Sequence, residues 1–346
     1  MRAIDSLTVL ICTYNRARLL DETLSALAAA RAPERCDIDI VVVDNNSSDE
    51  TAAVVQRAAL RGPWPVHYAM ERRQGKSYAL NRGLAIARGE VVTLTDDDVL
   101  PADDWLVRIV ERFRTRDIVF VFGKVLPRWE VPPPPEMLST RARDIWGPLA
   151  LVDYGDAPTD YAVESFAERR LPIGANLAVR RDALERVGGW RTDLGKVDNS
   201  LIAGEDHELC VRLFRAGLYT GLYDPAVVVR HFVPASRLTR RYFRRWFYWH
   251  GRTMARMAGS IYIDLDLARV PYVGGVPRFL YRESLVQTFR WLRRLGSHDG
   301  LAVLIEEVTL LEYLGFFAES WSRGRAAFPT AVRMQPDVLL GQSSER

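Results

Sequence analysis

The sequence predicts an α/β fold whose mostly parallel central sheet is flanked by helices, followed by a C-terminal helical extension. Three observations predict it. Short, nearly uninterrupted apolar runs alternate with helix-like segments over the first 125 residues, and polar clusters follow three of these runs. Such runs are typical of strands that are buried on both faces. Their alternation with helices indicates parallel strands joined by right-handed crossovers.

The elements up to residue 125 follow from these patterns in order. The apolar runs Leu7–Cys12 and Ile38–Val43 end directly at polar residues, which marks the strand ends. Leucines at helical spacing indicate the first helix after Ala17, and Gly89 is expected to close the third helix as its C-cap. The expected strands are 7–12, 38–43, 66–70, 90–95 and 118–122. The expected helices are 17–30, a segment that ends at 60, 77–87 and a segment that opens near 104.

The pattern changes at Pro127. The four prolines of Pro132–Pro135 predict a stiff, extended segment within a long loop that reaches Arg170. Regularity returns at Leu171. The elements expected beyond it are a strand at 177–179, helices at 182–187 and 205–216, and two strands at 219–223 and 226–229, with His231 after the second.

Composition excludes several classes. With 47 Lys and Arg against 44 Asp and Glu, the net charge is +3, whereas a general nucleic-acid coat protein needs a large basic excess. We therefore expect no nucleic-acid partner. The three cysteines have no metal-binding spacing and fit a reducing compartment. No apolar run reaches the roughly 18–20 residues of a membrane span, and no secretory signal is visible, so a cytoplasmic, non-integral protein is expected.

The acidic triplet Asp96, Asp97 and Asp98 follows the strand expected at 90–95. Three adjacent carboxylates repel one another unless a positive charge offsets them. Mg²⁺ or Mn²⁺ is the natural partner of such oxygen ligands. The alternative is an acidic turn that caps the next helix. Because ligands bind beyond the carboxyl ends of the strands in such sheets, the position of the triplet favours the metal.

Other polar positions are weaker candidates. Asp44 ends the second strand, where it either begins an Asx turn or accepts a hydrogen bond from a nucleoside. Gly75 and Lys76 precede a helix whose N-terminus can bind an anion, although the complete phosphate-loop motif is absent. Glu205 and Asp206 open another helix, where they either interact with the helix dipole or supply a general base.

In order and spacing, these segments together resemble family 2 glycosyltransferases of the GT-A nucleotide-diphospho-sugar transferase fold. The resemblance covers about residues 7–232 and fades beyond them. The matching segments are VLICTYNRARLLDETLSAL (9–27), VVVDNNSSDET (41–51), QGKSYALNRGLAIARGEVVTLTDDDVLP (74–101), GANLAVRRDALERVGGW (174–190), GEDHELCVRLFRAG (204–217) and VVVRH (227–231).

The resemblance implies metal-dependent, inverting transfer of a hexosyl group from a nucleotide-diphosphate sugar, with a UDP-sugar favoured, to an acceptor hydroxyl. It places the aspartate triplet at the family's DxD motif, with Asp96 on the ribose side, Asp98 on the metal and Asp97 in either role. His231 matches a histidine that reaches the metal or diphosphate in some members. The residues it assigns to the nucleoside are Thr13, Asn15, Arg16 and Asp44, with Gly75 and Lys76 near the ribose or diphosphate.

On the acceptor side, the resemblance makes Asp206 the general base, and Glu205 would orient a substrate hydroxyl. Trp190 stands where many members have Phe, and either stacks on an acceptor sugar or packs in the core. The donor-sugar and acceptor cleft would be lined by Gly174, Ala175 and Asn176.

Two other classes remain open. A metal-dependent nucleotidyltransferase usually carries a Gly-rich signature after its first strand, where this chain reads CTYNR over Cys12–Arg16. A non-catalytic nucleotide-sugar-binding protein on the same scaffold has no need of both intact acidic clusters. The catalytic domain is accordingly expected over residues 1–232.

The region 233–346 is expected to be helical. Between Arg230 and Arg256 the chain has eight arginines, seven interleaved aromatic residues and no acid. Arg241, Arg245, Arg252 and Arg256 share one helical side, which favours an anionic membrane surface and a lipid-linked saccharide acceptor at the cytoplasmic face. The alternative is a packed appendage whose arginine stems cover apolar surface.

Overall fold

The computed structural model describes residues 4–161, 171–197, 200–261 and 270–323. The chain divides into two compact units, one of residues up to 201 together with 205–239, the other of 202–204 and the residues from 240 onward. The domain boundary expected at 232 stays a prediction.

The first unit begins with strands that alternate with helices. The elements are β1 (Ser6–Thr13), α1 (Ala17–Ala29), β2 (Asp37–Asp44), α2 (Thr51–Arg61), β3 (Val66–Met70), α3 (Lys76–Leu84), β4 (Val91–Asp96), β5 (Val99–Pro101), α4 (Trp105–Thr115), β6 (Phe120–Trp129), β7 (Thr159–Tyr161), β8 (Leu177–Arg180), α5 (Arg181–Arg186), α6 (Glu205–Arg215) and β9 (Gly221–Val233). Short 3₁₀ turns occupy 135–138, 140–145, 147–149, 174–176 and 235–238. Strands β1, β2 and β4 are buried along most of their length because apolar residues, mainly Val, Ile and Leu, occupy both of their faces.

Within the described residues these strands form one nine-stranded sheet in the order β3-β2-β1-β4-β8-β6-β9-β5, with β7 also paired to β9. The half from β3 to β4 is parallel, and β8 joins it antiparallel to β4 and β6. The predicted α/β fold with a flanked, mostly parallel sheet is confirmed. In register, Thr13 lies opposite Asp44 and Cys12 opposite Asp96, so the polar ends of three strands meet at one edge.

Gly89 does not cap the third helix, as the sequence had suggested. The helix α3 ends at Leu84, and Ala85 is its C-cap. A Cβ at Gly89 would lie 2.4 Å from the backbone nitrogen of Thr8. The glycine is therefore required by close backbone packing rather than by a helix end.

The two strands expected at 219–223 and 226–229 are one strand, β9, and His231 lies inside it. The register between β6 and β9 shifts after Gly123, where β9 bulges around the segment that contains Pro225. A Cβ at Gly123 would lie 1.9 Å from the carbonyl oxygen of Val227, so glycine permits this bulge. Strand β6 in turn continues through Pro127, the residue at which the sequence had indicated a change.

The second unit is helical apart from one two-stranded hairpin in its described part. Its elements are α7 (Arg240–Ile261), β10 (Tyr272–Val273), β11 (Val276–Pro277), α8 (Arg278–Arg294) and α9 (Gly300–Arg323). Helices α7 and α9 pack closely, since a Cβ at Gly251 would lie 1.8 Å from the carbonyl oxygen of Glu312 and one at Gly315 would lie 1.9 Å from that of Tyr248. No helix in the described ranges is both long and apolar enough to cross a bilayer.

The arginine-rich helix α7 is partly neutralised from within its own unit, which agrees with the packed appendage that the sequence left as the alternative. The carboxylate of buried Glu319 accepts hydrogen bonds of 2.7 Å from Nε of both Arg252 and Arg256. Two of the four arginines expected on a membrane thus bind an acid that lies more than 60 positions away in sequence. Residues 262–269 and 324–346 of the predicted helical region lie outside the described residues.

We expect Glu319→Gln to lower the free energy of unfolding by about 3 kcal/mol, the lower end for a buried pair, because it leaves partly buried guanidinium groups without their carboxylate. Glu307→Gln on the same helix is the control, since its partner Arg244 is half exposed and such pairs contribute less than about 1 kcal/mol. Denaturant unfolding measures both variants. Equal losses would contradict the special role of Glu319.

The difference in unfolding free energy between wild type and Glu319→Gln is expected to depend on pH. Burial raises the pKa of Glu319, but hydrogen bonds from Arg256 and Arg252 lower it by more, so the pKa lies below its ordinary value of 4.5. The contribution of this group is therefore complete above about pH 4.5 and is lost as the pH falls through the lower pKa of the folded state. The difference between wild type and Glu319→Gln is expected to shrink on acidification.

Candidate active site

Within the acidic triplet, Asp97 and Asp98 are held by hydrogen bonds from Thr13 and Arg16. Asp97 accepts hydrogen bonds from Thr13 Oγ1 at 2.8 Å and Arg16 Nη1 at 3.0 Å, one on each oxygen. The same guanidinium donates to Asp98 Oδ2 at 2.8 Å. Burial raises the pKa of Asp97 to about 6, with Arg16 opposing the rise and Asp98 adding to it. Asp97 is thus bound by protein groups on both oxygens.

Lys76 connects the triplet to the second acidic cluster. At the N-terminus of α3, its Nζ lies 3.1 Å from Asp96 Oδ1 and 3.4 Å from Glu205 Oε1. Burial opposes the charge on this lysine, but Asp96, Asp206 and Glu205 hold its pKa well above the ordinary value. Despite its own burial, the pKa of Asp96 is held low, chiefly by Lys76. The predicted diphosphate-side and acceptor-side residues therefore share one charge network.

A possible metal site lies beside this lysine. Ligand atoms of Asp96, Asp98 and His231 lie within 4.8 Å of one another. His231 Nε2 is 3.4 Å from Asp98 Oδ1, and burial lowers the pKa of the imidazole although Asp98 raises it, which favours the neutral ring that a metal needs. Among the described groups, Asp98 Oδ1 and His231 Nδ1 are buried without a hydrogen-bond partner. Two carboxylates and an imidazole fit Mn²⁺ and related divalent ions.

This geometric set differs from the predicted one in one member. The sequence reading put Asp97 beside Asp98 and His231, whereas the structure brings Asp96 to them. Both oxygens of Asp97 accept hydrogen bonds instead, one from Thr13 and one from Arg16.

Asp206 has one oxygen held and one open. Its Oδ2 accepts a 2.8 Å hydrogen bond from the backbone N–H of Gly174, while Oδ1 is buried with no partner in the described part of the chain. Burial raises the pKa of Asp206 to about 6; Lys76 lowers it and Glu205 raises it further. A carboxylate in this state can accept a proton near neutral pH.

The turn 174–176 positions that carboxylate. A Cβ at Gly174 would lie 2.7 Å from Asp206 Oδ2, so a glycine is needed for the approach. The carbonyl of Ala175 accepts from Thr95 Oγ1 at 3.1 Å. The side chain of buried Asn176 binds Trp105 Nε1 at 2.8 Å and donates to two backbone carbonyls. These bonds anchor the turn to the sheet and to α4.

The residues expected at the nucleoside shape the adjacent loops. The two oxygens of Asp44 accept from the N–H of Ser47 and the hydroxyl of Tyr68, both at 2.8 Å. Asn15, in the left-handed region with φ 51°, accepts from the N–H of Ser48 at 2.8 Å. Trp190 is buried in the hydrophobic core, and its backbone N–H donates to Asn81 Oδ1.

The sequence reading passed over three residues. Asn45 Oδ1 accepts from the N–H of Gly75 at 2.8 Å, and its amide donates to the carbonyls of residues 71 and 73, which ties the Gly75 loop to the end of β2. Lys196 and Arg237 add positive charge that acts on His231. The only sequence signal for Asn45 was its place in the polar cluster after β2, and the two cations had none.

Comparison with known families decides the identity. The Glycosyl transferase family 2 model matches residues 8–188, more than half of the chain. The chain belongs to this family.

Relatives agree with that assignment. The glycosyltransferase is 30% identical over 257 residues to "Succinoglycan biosynthesis protein ExoM" of Rhizobium meliloti, which covers 72% of this chain and 76% of that protein. It is 26% identical over 228 residues to "Glucosyl-dolichyl phosphate glucuronosyltransferase" of Haloferax volcanii, with 65% and 68% covered. A solved mannosyltransferase of Pyrobaculum calidifontis, crystallised with GDP-Man and Mn²⁺, shares the GT-A fold with a TM-score of 0.54 at 21% identity, over 99% of this chain and 89% of that one.

Replacing Gly174 by alanine tests the turn. The added methyl group is expected to push the Asp206 carboxylate from its position, and a displacement of about 1 Å in a catalytic group typically costs on the order of 10²-fold in rate. Gly296→Ala is the control, because a Cβ there meets no atom within 4 Å. Turnover number and thermal unfolding are measured together. An unchanged turnover number in the folded Gly174→Ala variant would contradict the assignment.

Proposed function

We propose that this glycosyltransferase is a metal-dependent, inverting enzyme that transfers a sugar from a nucleotide-diphosphate donor to an acceptor hydroxyl. The observation that carries the proposal is the network around Lys76, which lies 3.1 Å from Asp96 and 3.4 Å from Glu205. In this network a cation lies between the carboxylates proposed to bind the metal and the acidic pair Glu205 and Asp206, which includes the proposed base. An inverting displacement needs both, since charge grows on the leaving diphosphate while the acceptor loses a proton.

The donor side of the proposal uses Asp96, Asp98 and His231 as metal ligands. When bound, a divalent cation supplies positive charge that offsets the charge on the departing diphosphate. Lys76, at the helix N-terminus after Gly75, adds a second positive charge for the phosphate oxygens. Arg16 holds Asp97 and Asp98 in place, so the open oxygen of Asp98 stays available.

On the acceptor side, Asp206 Oδ1 takes the proton of the attacking hydroxyl. The hydrogen bond from Gly174 to Oδ2 fixes the carboxylate, and Glu205 Oε2, buried with no hydrogen-bond partner in the described chain, is available to orient a substrate hydroxyl. No covalent intermediate is required, because a single displacement inverts the anomeric centre.

The donor and acceptor follow from the resemblance and the relatives. From the family resemblance we propose a UDP-sugar as the donor. A screen of UDP-, GDP- and dTDP-sugars tests this choice, and it includes GDP-sugars because the Pyrobaculum neighbour holds GDP-Man. A saccharide or lipid-linked acceptor in polysaccharide assembly is supported by the names of the two relatives. Such an acceptor would place the enzyme at the cytoplasmic face of a membrane.

Removal of metal is expected to abolish activity. After dialysis against EDTA, nucleotide diphosphate release and nucleotide binding should be lost, and Mn²⁺ or Mg²⁺ should restore both. Asp98→Asn should weaken Mn²⁺-dependent nucleotide binding in calorimetry, whereas Asp21→Asn, an exposed acid on α1, should not. Full activity in the metal-free enzyme would contradict the proposed metal role.

Asp206→Asn is expected to lower kcat by about 10²–10⁴, the usual contribution of a general base, with little change in donor affinity. Because burial raises the pKa of Asp206 to about 6, the wild-type kcat should be constant above this pH and fall as Asp206 is protonated below it. The residual activity of Asp206→Asn should lack that inflection. A kcat close to wild type with saturating acceptor would move the role to Glu205.

A further inference from the structure

Helix α8 has an exposed apolar stripe. Leu285, Phe289 and Leu292 are spaced four and three residues apart, which places them on one face of the helix, and their exposed fractions are 70%, 61% and 51%. Val286 and Leu295 are also exposed beside them. Soluble proteins rarely leave a continuous apolar stripe of this kind open to water.

The stripe is not the face with which α8 packs in its own unit. Leu280, Ser284 and Gln287 form the buried face, and the Gln287 amide donates to the carbonyl oxygen of Glu306 at 2.9 Å. A surface helix normally buries its apolar face and exposes its polar one. In α8 polar groups occupy much of the inward face while large apolar side chains point outward, so the outer face has the composition of a binding surface.

The charge around the stripe is strongly positive. Helix α8 contains one acid, Glu283, and its arginines are Arg278, Arg282, Arg290, Arg293 and Arg294. Within the described ranges, none of these arginines forms an ion pair with an acid. The guanidinium of Arg293 lies 5.7 Å from the ring centroid of Phe289, so cation and apolar surface are directly adjacent.

We propose that the outer face of α8 docks on an anionic lipid surface. Leucine and phenylalanine side chains enter the headgroup boundary of a bilayer, and unpaired arginines beside them bind anionic headgroups. A second copy of the chain suits this face poorly, because two such helices would bring like charges together. Binding to lipid does not depend on the proposed function. Only the use of that binding, access to a lipid-linked acceptor, rests on it.

This assignment differs from the prediction based on α7. Arg252 and Arg256 of α7 bind Glu319, whereas the arginines of α8 remain available. The membrane-facing element is thus the helix that combines exposed apolar side chains with unpaired positive charge.

Co-sedimentation of the full chain with vesicles tests the proposal without any donor. Vesicles that contain phosphatidylglycerol should bind the protein, vesicles of phosphatidylcholine alone should bind it less, and high salt should weaken the binding. The double variant Leu285→Glu, Phe289→Glu should bind at least about tenfold more weakly, because two apolar groups become anionic. Leu60→Glu, Leu138→Glu is the matched control, since these leucines are 87% and 63% exposed and the added charge is the same.

A second variant separates charge from apolar contact. The triple variant Arg290→Gln, Arg293→Gln, Arg294→Gln should lose the preference for phosphatidylglycerol. Because all three positions are exposed, the variant is expected to fold, and thermal unfolding checks this. Equal loss in the test and control variants, or no binding to either vesicle, overturns the proposal. A concentration-dependent dimer that the α8 variants abolish, without vesicle binding, assigns the face to a second copy instead. Donor turnover in solution reports separately on the proposed function.

Discussion

The positive charge of Lys76 is the constraint on which the rest of the site depends. Buried Glu205 and Asp206 and the largely buried Asp96 belong to one network, and without a central cation their mutual repulsion would favour protonation or displacement. The lysine reaches them because β4 and α6 end and begin at the same edge of the sheet. The parallel sheet thus brings the acidic groups together at its carboxyl edge, and the ion pairs with Lys76 offset their repulsion there.

Two carboxyl groups of this network, those of Asp96 and Asp206, have pKa values that are shifted in opposite directions. Lys76 holds the pKa of Asp96 low, while burial raises the pKa of Asp206 to about 6. Groups whose environments separate their pKa values can take different chemical roles. Gly174 adds the steric part of the arrangement, since only a residue without a side chain admits the Asp206 carboxylate so close to the backbone.

In the second unit, too, a buried carboxylate is paired with positive charge, and here the pairing holds two helices together. Glu319 is buried and accepts hydrogen bonds from Arg252 and Arg256, so two of the arginines of α7 take part in packing within the unit. Helix α8 has no equivalent acid for its arginines within the described residues. The two arginine-rich helices therefore differ in their ion pairs, because Glu319 on α9 binds arginines of α7.

The parallel half of the sheet and the acidic triplet at a strand end were predictable from sequence alone, because apolar runs and their polar ends are local patterns. The ordered motifs likewise sufficed for the family. Tertiary structure alone decided that Asp96 lies with Asp98 and His231 while Asp97 faces Thr13 and Arg16, since His231, Thr13 and Arg16 are distant in sequence from the triplet. It also decided that β9 continues through a bulge opposite Gly123, and that α7 meets Glu319. These contacts join residues far apart in the chain, and no local pattern encodes them.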